Sequence, residues 1–193
     1  MTRRRSLLRR LGRTLALVLL VGAVGAVAVL YLRWRWREQR YNPLIEEIAT
    51  EHDVDKFLVK AVMRQESGFD STAYSSKGAI GLMQVMPATG EQWARATGRP
   101  GFKRDMLWDP RTNIEAGTWI LAQALERWQA HDDPVPFALA EYNAGAGRVL
   151  KWLPNGAATT AAEFLAAITF PGVRRYIERI TGYAAGYSAA GQL

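Results

Sequence analysis

The chain of 193 residues carries 25 lysines and arginines against 18 aspartates and glutamates, a net charge of +7, and 49% of its residues are hydrophobic. Ten arginines and one acid fall in residues 1–40, which therefore hold +9, and residues 41–193 are mildly acidic at −2. That split argues against a nucleic-acid partner for the body of the chain, and the absence of cysteine excludes disulfides, zinc thiolates, a thiol nucleophile and a lipidated cysteine.

The first element in chain order is Thr14–Leu32, TLALVLLVGAVGAVAVLYL, nineteen residues without a charge. As a helix it spans roughly 28 Å, close to the hydrocarbon thickness of a bilayer. Tyr31, Trp34 and Trp36 fall where interfacial aromatics are favoured. Six arginines precede the span and four follow it, a bias that predicts a cytoplasmic N-terminus and an exported body. The competing reading is a cleaved signal peptide, with Ala26-Val27-Ala28 as its cutting site. The chain thus divides into residues 1–40, a basic tail, a transmembrane helix and a basic flank, and residues 41–193, one domain with enough chain for a core.

From Asn42 onward the pattern is helical, and no convincing alternating strand is present. Asp55 caps a helix through Gln65 or Glu66, with Phe57, Leu58, Ala61 and Val62 as its apolar stripe. Pro87 opens a helix that Gly98 closes. Asp109-Pro110 starts a long one through about Trp128. Pro134 or Pro136 opens another through Ala140 and Tyr142, and a shorter one covers Gly147–Leu153. Thr160 caps a helix to Ile168, and Pro171 begins the last, through Ile180. Six or seven short helices with short joints predict a compact all-α domain. Gly182–Leu193, small and polar, reads as a frayed tail.

Glu66 stands out chemically. It lies four residues after Val62 on the apolar stripe and at a helix C-terminus, where the dipole disfavours a negative charge. Burial and dipole together push a carboxyl toward its protonated form, as a general acid requires. The alternative is a solvated glutamate at a fraying end. The segment that follows, ESGFDSTAYSSKGAIGLMQVMP, supplies glycine turns, hydroxyls, an amide and methionines, the mixture that binds sugars. Tyr142 and Asn143 end a helix before a glycine turn, where they serve equally as ordinary C-capping residues. Asp70 fits a turn. Trp93, Trp108, Trp119, Trp128 and Trp152 read as core or groove-wall packing. His52 and His131 read as solvated, and Lys103-Arg104 and Arg174-Arg175 as surface charge.

The run RQESGFDSTAYSSKGAIGLMQVMPATG, followed by DPRTNIEAGTWIL, AEYNAG and FPGVRRYIERI, resembles the catalytic domain of the soluble lytic transglycosylase family over roughly residues 42–187. The resemblance implies a goose-type-lysozyme-like fold. It implies that Glu66 is the catalytic acid and base, that Ser75 and Tyr176 orient it, and that Gln84, Met86, Tyr142 and Asn143 contact substrate. Two positions depart from the pattern: Glu141 stands where alanine is common, and Gly172 where many members have glutamate. The implied reaction cleaves the β-1,4 bond between N-acetylmuramic acid and N-acetylglucosamine in peptidoglycan and leaves a 1,6-anhydromuramoyl end. It uses one carboxyl, no metal and no organic cofactor. The expected partners are glycan strands and, through residues 14–32, the inner membrane, with the domain in the periplasm. The alternatives are a true lysozyme of the same fold and a non-catalytic peptidoglycan-binding scaffold.

Overall fold

The computed structural model describes residues 2–153, 158–191 and 193, with side chains from residue 13 onward. The chain divides into two units, residues 1–40 and 41–193. The first is the single helix α1, Thr2–Gln39, which extends the apolar span into both arginine flanks. The arginines at positions 3, 4, 5, 9 and 10 lie outside the described side chains. The apolar residues between Leu15 and Leu32 are exposed along the whole span, as a helix without a protein core of its own requires. By length and composition this helix can cross a membrane.

The second unit is built from α2 Asn42–Glu51, α3 Lys56–Ser67, α4 Pro87–Ala96, α5 Pro110–Trp128, α6 Val135–Ala144, α7 Ala146–Val149, α8 Ala161–Ala167 and α9 Pro171–Ala190. No strand occurs among the described residues, and two isolated bridges, Tyr74 with Ile80 and Ile80 with Val85, shape the loop before α4. The caps follow local chemistry. The Asp55 carboxylate accepts from Phe57 N at 2.8 Å, and the Asp109 carboxylate accepts from Thr112 N at 2.9 Å. Pro87, Pro110 and Pro171 occupy first turns, where a missing N–H costs nothing. Thr160 and Glu163 form a reciprocal cap on α8.

The core gathers around α3, α5, α6 and α9, with Val62, Met63, Ile114, Leu121, Phe137 and Ile180 fully buried. Phe137 stacks on Phe164 at 4.2 Å between ring centroids. Four expectations are corrected here. The segment Gly147–Leu153 is not one helix but α7 followed by a 3-10 turn, Leu150–Trp152. The residues after Ile180 do not fray: α9 runs to Ala190, Tyr187 is buried, and its ring lies 4.6 Å from the buried Lys60 ammonium. His131 is not simply solvated: its ring stacks on Phe137 at 4.1 Å, and its Nδ1 pairs with Thr159 O at 2.8 Å. Arg174 is not free surface charge, because it donates to Ala166 O at 3.1 Å and Ile168 O at 3.3 Å. Of the tryptophans, Trp93, Trp128 and Trp152 are buried, Trp119 is half-buried, and Trp108 is 39% exposed.

Candidate active site

The last turn of α3 places Glu66 against α9. Gly68 ends the helix in the left-handed region at φ 58°, which a residue without a Cβ adopts at no steric cost. Tyr176, one turn into α9 and buried, donates its hydroxyl to Glu66 Oε1 at 2.6 Å. Burial raises the Glu66 carboxyl above its ordinary range, and the Tyr176 hydrogen bond, which favours the anion, opposes that rise only in part. The Tyr142 and Tyr176 hydroxyls are held well above their usual range, first by burial and then by the nearby Glu66 charge. Both phenols therefore stay protonated and act as donors near neutral pH.

The floor beside Glu66 is the loop 68–86, and buried polar groups hold its shape. Asn113 of α5 donates through Nδ2 to Ile80 O and Leu107 O, both at 2.8 Å, and its Oδ1 accepts from Met83 N at 2.8 Å. Ser67 Oγ donates to Leu82 O at 2.8 Å, which ties the end of α3 to the same loop. Tyr142 Oη donates to Met83 O at 2.8 Å. Gly81 sits at φ 75° directly over Asn113, where a Cβ would come within 2.5 Å of Nδ2. Gln84 is in the left-handed region at φ 50°, a conformation unusual for a residue with a side chain and found where surrounding structure over-determines it.

The predicted site residues do not all present themselves in the same way. Glu66, Tyr176 and Tyr142 come together as one electrostatic cluster. Ser75 Oγ accepts from Ala79 N at 3.0 Å, and among the described residues no hydrogen bond joins it to Glu66. The Gln84 amide nitrogen is committed to Ala73 O at 3.2 Å and Gly81 O at 3.0 Å, both on its own loop. Met86 is 40% exposed at the start of α4, and Asn143 is exposed at the end of α6. Asp70 accepts from Thr72 N at 3.0 Å and Thr72 Oγ1 at 2.8 Å, so it shapes the turn.

Two loop-fixing residues escaped the sequence reading. Ser67 was hidden inside the Glu-Ser pair. Asn113 carried a usable signal, since it is a polar residue beside Ile114 on a buried face. Next to Tyr142 opens a cleft of about 290 Å³ lined by Thr89, Gln92, Trp119, Gln123, Tyr142 and Gly145. A broader hollow of about 720 Å³ shares Trp119 and Gln123 with it. A third, of about 390 Å³ between Glu91 and Phe102, shares none of these residues. No group of three or more acids or histidines capable of holding a metal occurs among the described residues.

Comparison with known proteins gives this arrangement a family. The chain is 34% identical over 160 residues to the soluble lytic murein transglycosylase of Escherichia coli K12, covering 80% of this chain and 24% of the relative. It is 36% identical over 127 residues to membrane-bound lytic murein transglycosylase C of Glaesserella parasuis, covering 62% of this chain and 34% of that one. The crystal structure of an inactive glutamate-to-glutamine mutant of lytic transglycosylase Slt from Pseudomonas aeruginosa superposes with a TM-score of 0.71 at 30% identity, over 78% of this chain and 24% of the other. The chain thus spans from about a quarter to a third of the length of these relatives. The family profile described as "Transglycosylase SLT domain" matches residues 43–165. Since that match takes in Glu66, the loop 68–86 and Tyr142, the chain belongs to the Transglycosylase SLT domain family.

Proposed function

We propose that the second unit is a lytic transglycosylase that cleaves the β-1,4 bond between N-acetylmuramic acid and N-acetylglucosamine in peptidoglycan, with Glu66 as its only acid and base. The observation that carries this reading is the state of Glu66: a carboxyl whose affinity for its proton burial has raised, hydrogen-bonded by Tyr176, in one electrostatic cluster with Tyr142, which lines the cleft. The names of the relatives support the substrate class.

Most glycosidases need two carboxyl groups. Asp70, the next acid in sequence, is spent on its turn, so one group acts twice. Glu66 first protonates the glycosidic oxygen as the C1–O bond breaks, and the substrate's own acetamido oxygen stabilises the charge that develops at C1. The Glu66 carboxylate then accepts the proton of the muramic C6 hydroxyl as that oxygen bonds to C1. Bonds and protons balance without water, and the product carries a 1,6-anhydro ring. Tyr176 orients the carboxyl and stabilises its anion between the two steps. In this reading the Gln84 oxygen, Met86 and Asn143 contact the sugars. Ser75 acts at its turn rather than on the acid in the unliganded protein.

In this reading the first helix anchors the protein in the inner membrane through residues 14–32, and the arginine bias favours an N-terminus in the cytoplasm with the catalytic unit in the periplasm. Glu66→Gln tests the central assignment. The variant is expected to fold, to co-sediment with purified sacculi, and to release soluble fragments roughly a thousandfold more slowly than the wild type. Near-normal release would refute the role of Glu66.

A further inference from the structure

Tyr74, Met86, Met106, Trp108, Leu150 and Phe170 are the large apolar side chains that the second unit exposes among its described residues. Tyr74 and Trp108 differ from the rest in being two exposed aromatic rings in contact with each other. Tyr74 is 57% exposed and Trp108 39%, and their centroids lie 6.0 Å apart with the planes tilted by 38°. Arg104 donates to Tyr74 Oη at 3.1 Å, and its guanidinium stands 6.0 Å from the Tyr74 ring. The tyrosine hydroxyl also lies over Gly78, 3.6 Å from where a Cβ would project. One ring is thus held by a cation and a tight turn while more than half of the residue stays in water. Exposed apolar surface with a polar rim marks interaction sites, and aromatic rings with arginine are the residue types that such sites favour.

Position and chemistry identify the partner. Tyr74 immediately precedes Ser75 in the loop 68–86 that follows the helix carrying Glu66, and it pairs there with Ile80. The C–H face of a pyranose complements the negative face of an aromatic ring. Lys77 and Lys103, exposed on the same two loops as Tyr74 and Arg104, complement the carboxylates of peptide-bearing glycan. We propose that Tyr74 and Trp108, with Arg104, form an additional saccharide platform that takes a sugar of the peptidoglycan strand beyond those held at Glu66. The platform rests on the reading of the domain as a peptidoglycan-cleaving enzyme and adds a length-dependent grip on its substrate.

The test uses the full chain in detergent, in the Glu66→Gln background so that ligands survive. Dissociation constants are measured for long soluble glycan strands and for a tetrasaccharide, with and without Tyr74→Ala/Trp108→Ala. The platform predicts that the double substitution weakens long-strand binding about tenfold more than tetrasaccharide binding. Tyr74→Phe/Trp108→Tyr, which keeps both rings, retains the long-strand affinity. Equal constants with and without the rings, or equal losses on both ligands, overturn the proposal. If the double alanine variant does not fold, Trp108→Ser alone is read against the same two ligands. Failure of the underlying reading looks different: the Glu66→Gln chain with both rings intact then binds neither glycan.

Discussion

At the scale of single residues the chemistry depends on one proton. Burial raises the Glu66 carboxyl, and the Tyr176 hydrogen bond pulls it back down. If the protonated form is the active acid, kcat/KM falls as pH rises through the raised Glu66 value, later than it would for a solvated glutamate. Tyr176→Phe removes the group that favours the anion. Its kcat/KM is therefore expected to lose activity at a higher pH than the wild type, with a lower plateau because the carboxyl is less well oriented. A pH profile of the variant checks this, and an alkaline limb shifted downward would contradict it. In the sequence the place of Glu66, four residues past Val62 on an apolar stripe, left burial and a solvated helix end both open. Its partner was not legible from periodicity, because Tyr176 lies 110 residues away and only the folded chain puts its hydroxyl at 2.6 Å. The internal bonds of Gln84 were hidden for the same reason: its left-handed backbone at φ 50° turns the amide back on its own loop.

At the scale of elements, α5 works as the frame for the loop 68–86. Gly117 is in contact with Met83, and a Cβ there would lie 2.5 Å from the Met83 sulfur and 2.6 Å from its Cβ. Gly117→Ala should therefore destabilise the domain by about 1–3 kcal/mol through overpacking. Asn113→Ala strands Met83 N, takes the side-chain donor from Leu107 O and leaves Ile80 O with Val85 N alone, and should cost about 2–4 kcal/mol. Chemical denaturation measures both, and values within experimental error of the wild type would show that the loop is held by other contacts. Proline, aspartate and threonine signals made α3, α4, α5, α8 and the start of α9 readable. The short α2, Asn42–Glu51, lacked a side-chain cap and was not singled out as a separate helix. The end of α9 was misread because glycine, alanine and serine dominate its composition. The spacing of Tyr176, Ile180, Tyr183 and Tyr187 was the better guide. Arg64 lies 4.1 Å from the Tyr183 ring and bonds Tyr187 Oη at 3.3 Å, which locks α9 to the helix carrying Glu66.

At the scale of the whole molecule, charge and hydropathy divide the labour. The positive charge resides with the first helix, while the acidic second unit holds the cleft. In the proposed arrangement the anchor restricts cleavage to glycan near the membrane, since few residues separate the apolar span from Tyr41. Family membership and the all-α architecture were both readable in the sequence because four ordered motifs and the helix caps are local signals. The meeting of Glu66 on α3, Tyr142 on α6 and Tyr176 on α9 is a tertiary fact. The most direct test is mass spectrometry of the muropeptides released from purified sacculi by the purified protein. Ring closure by the C6 hydroxyl predicts products one water lighter than reducing-end fragments, and none in the presence of Glu66→Gln alone. Fragments with ordinary reducing ends would show that water is the nucleophile and would contradict the single-carboxyl, two-step account.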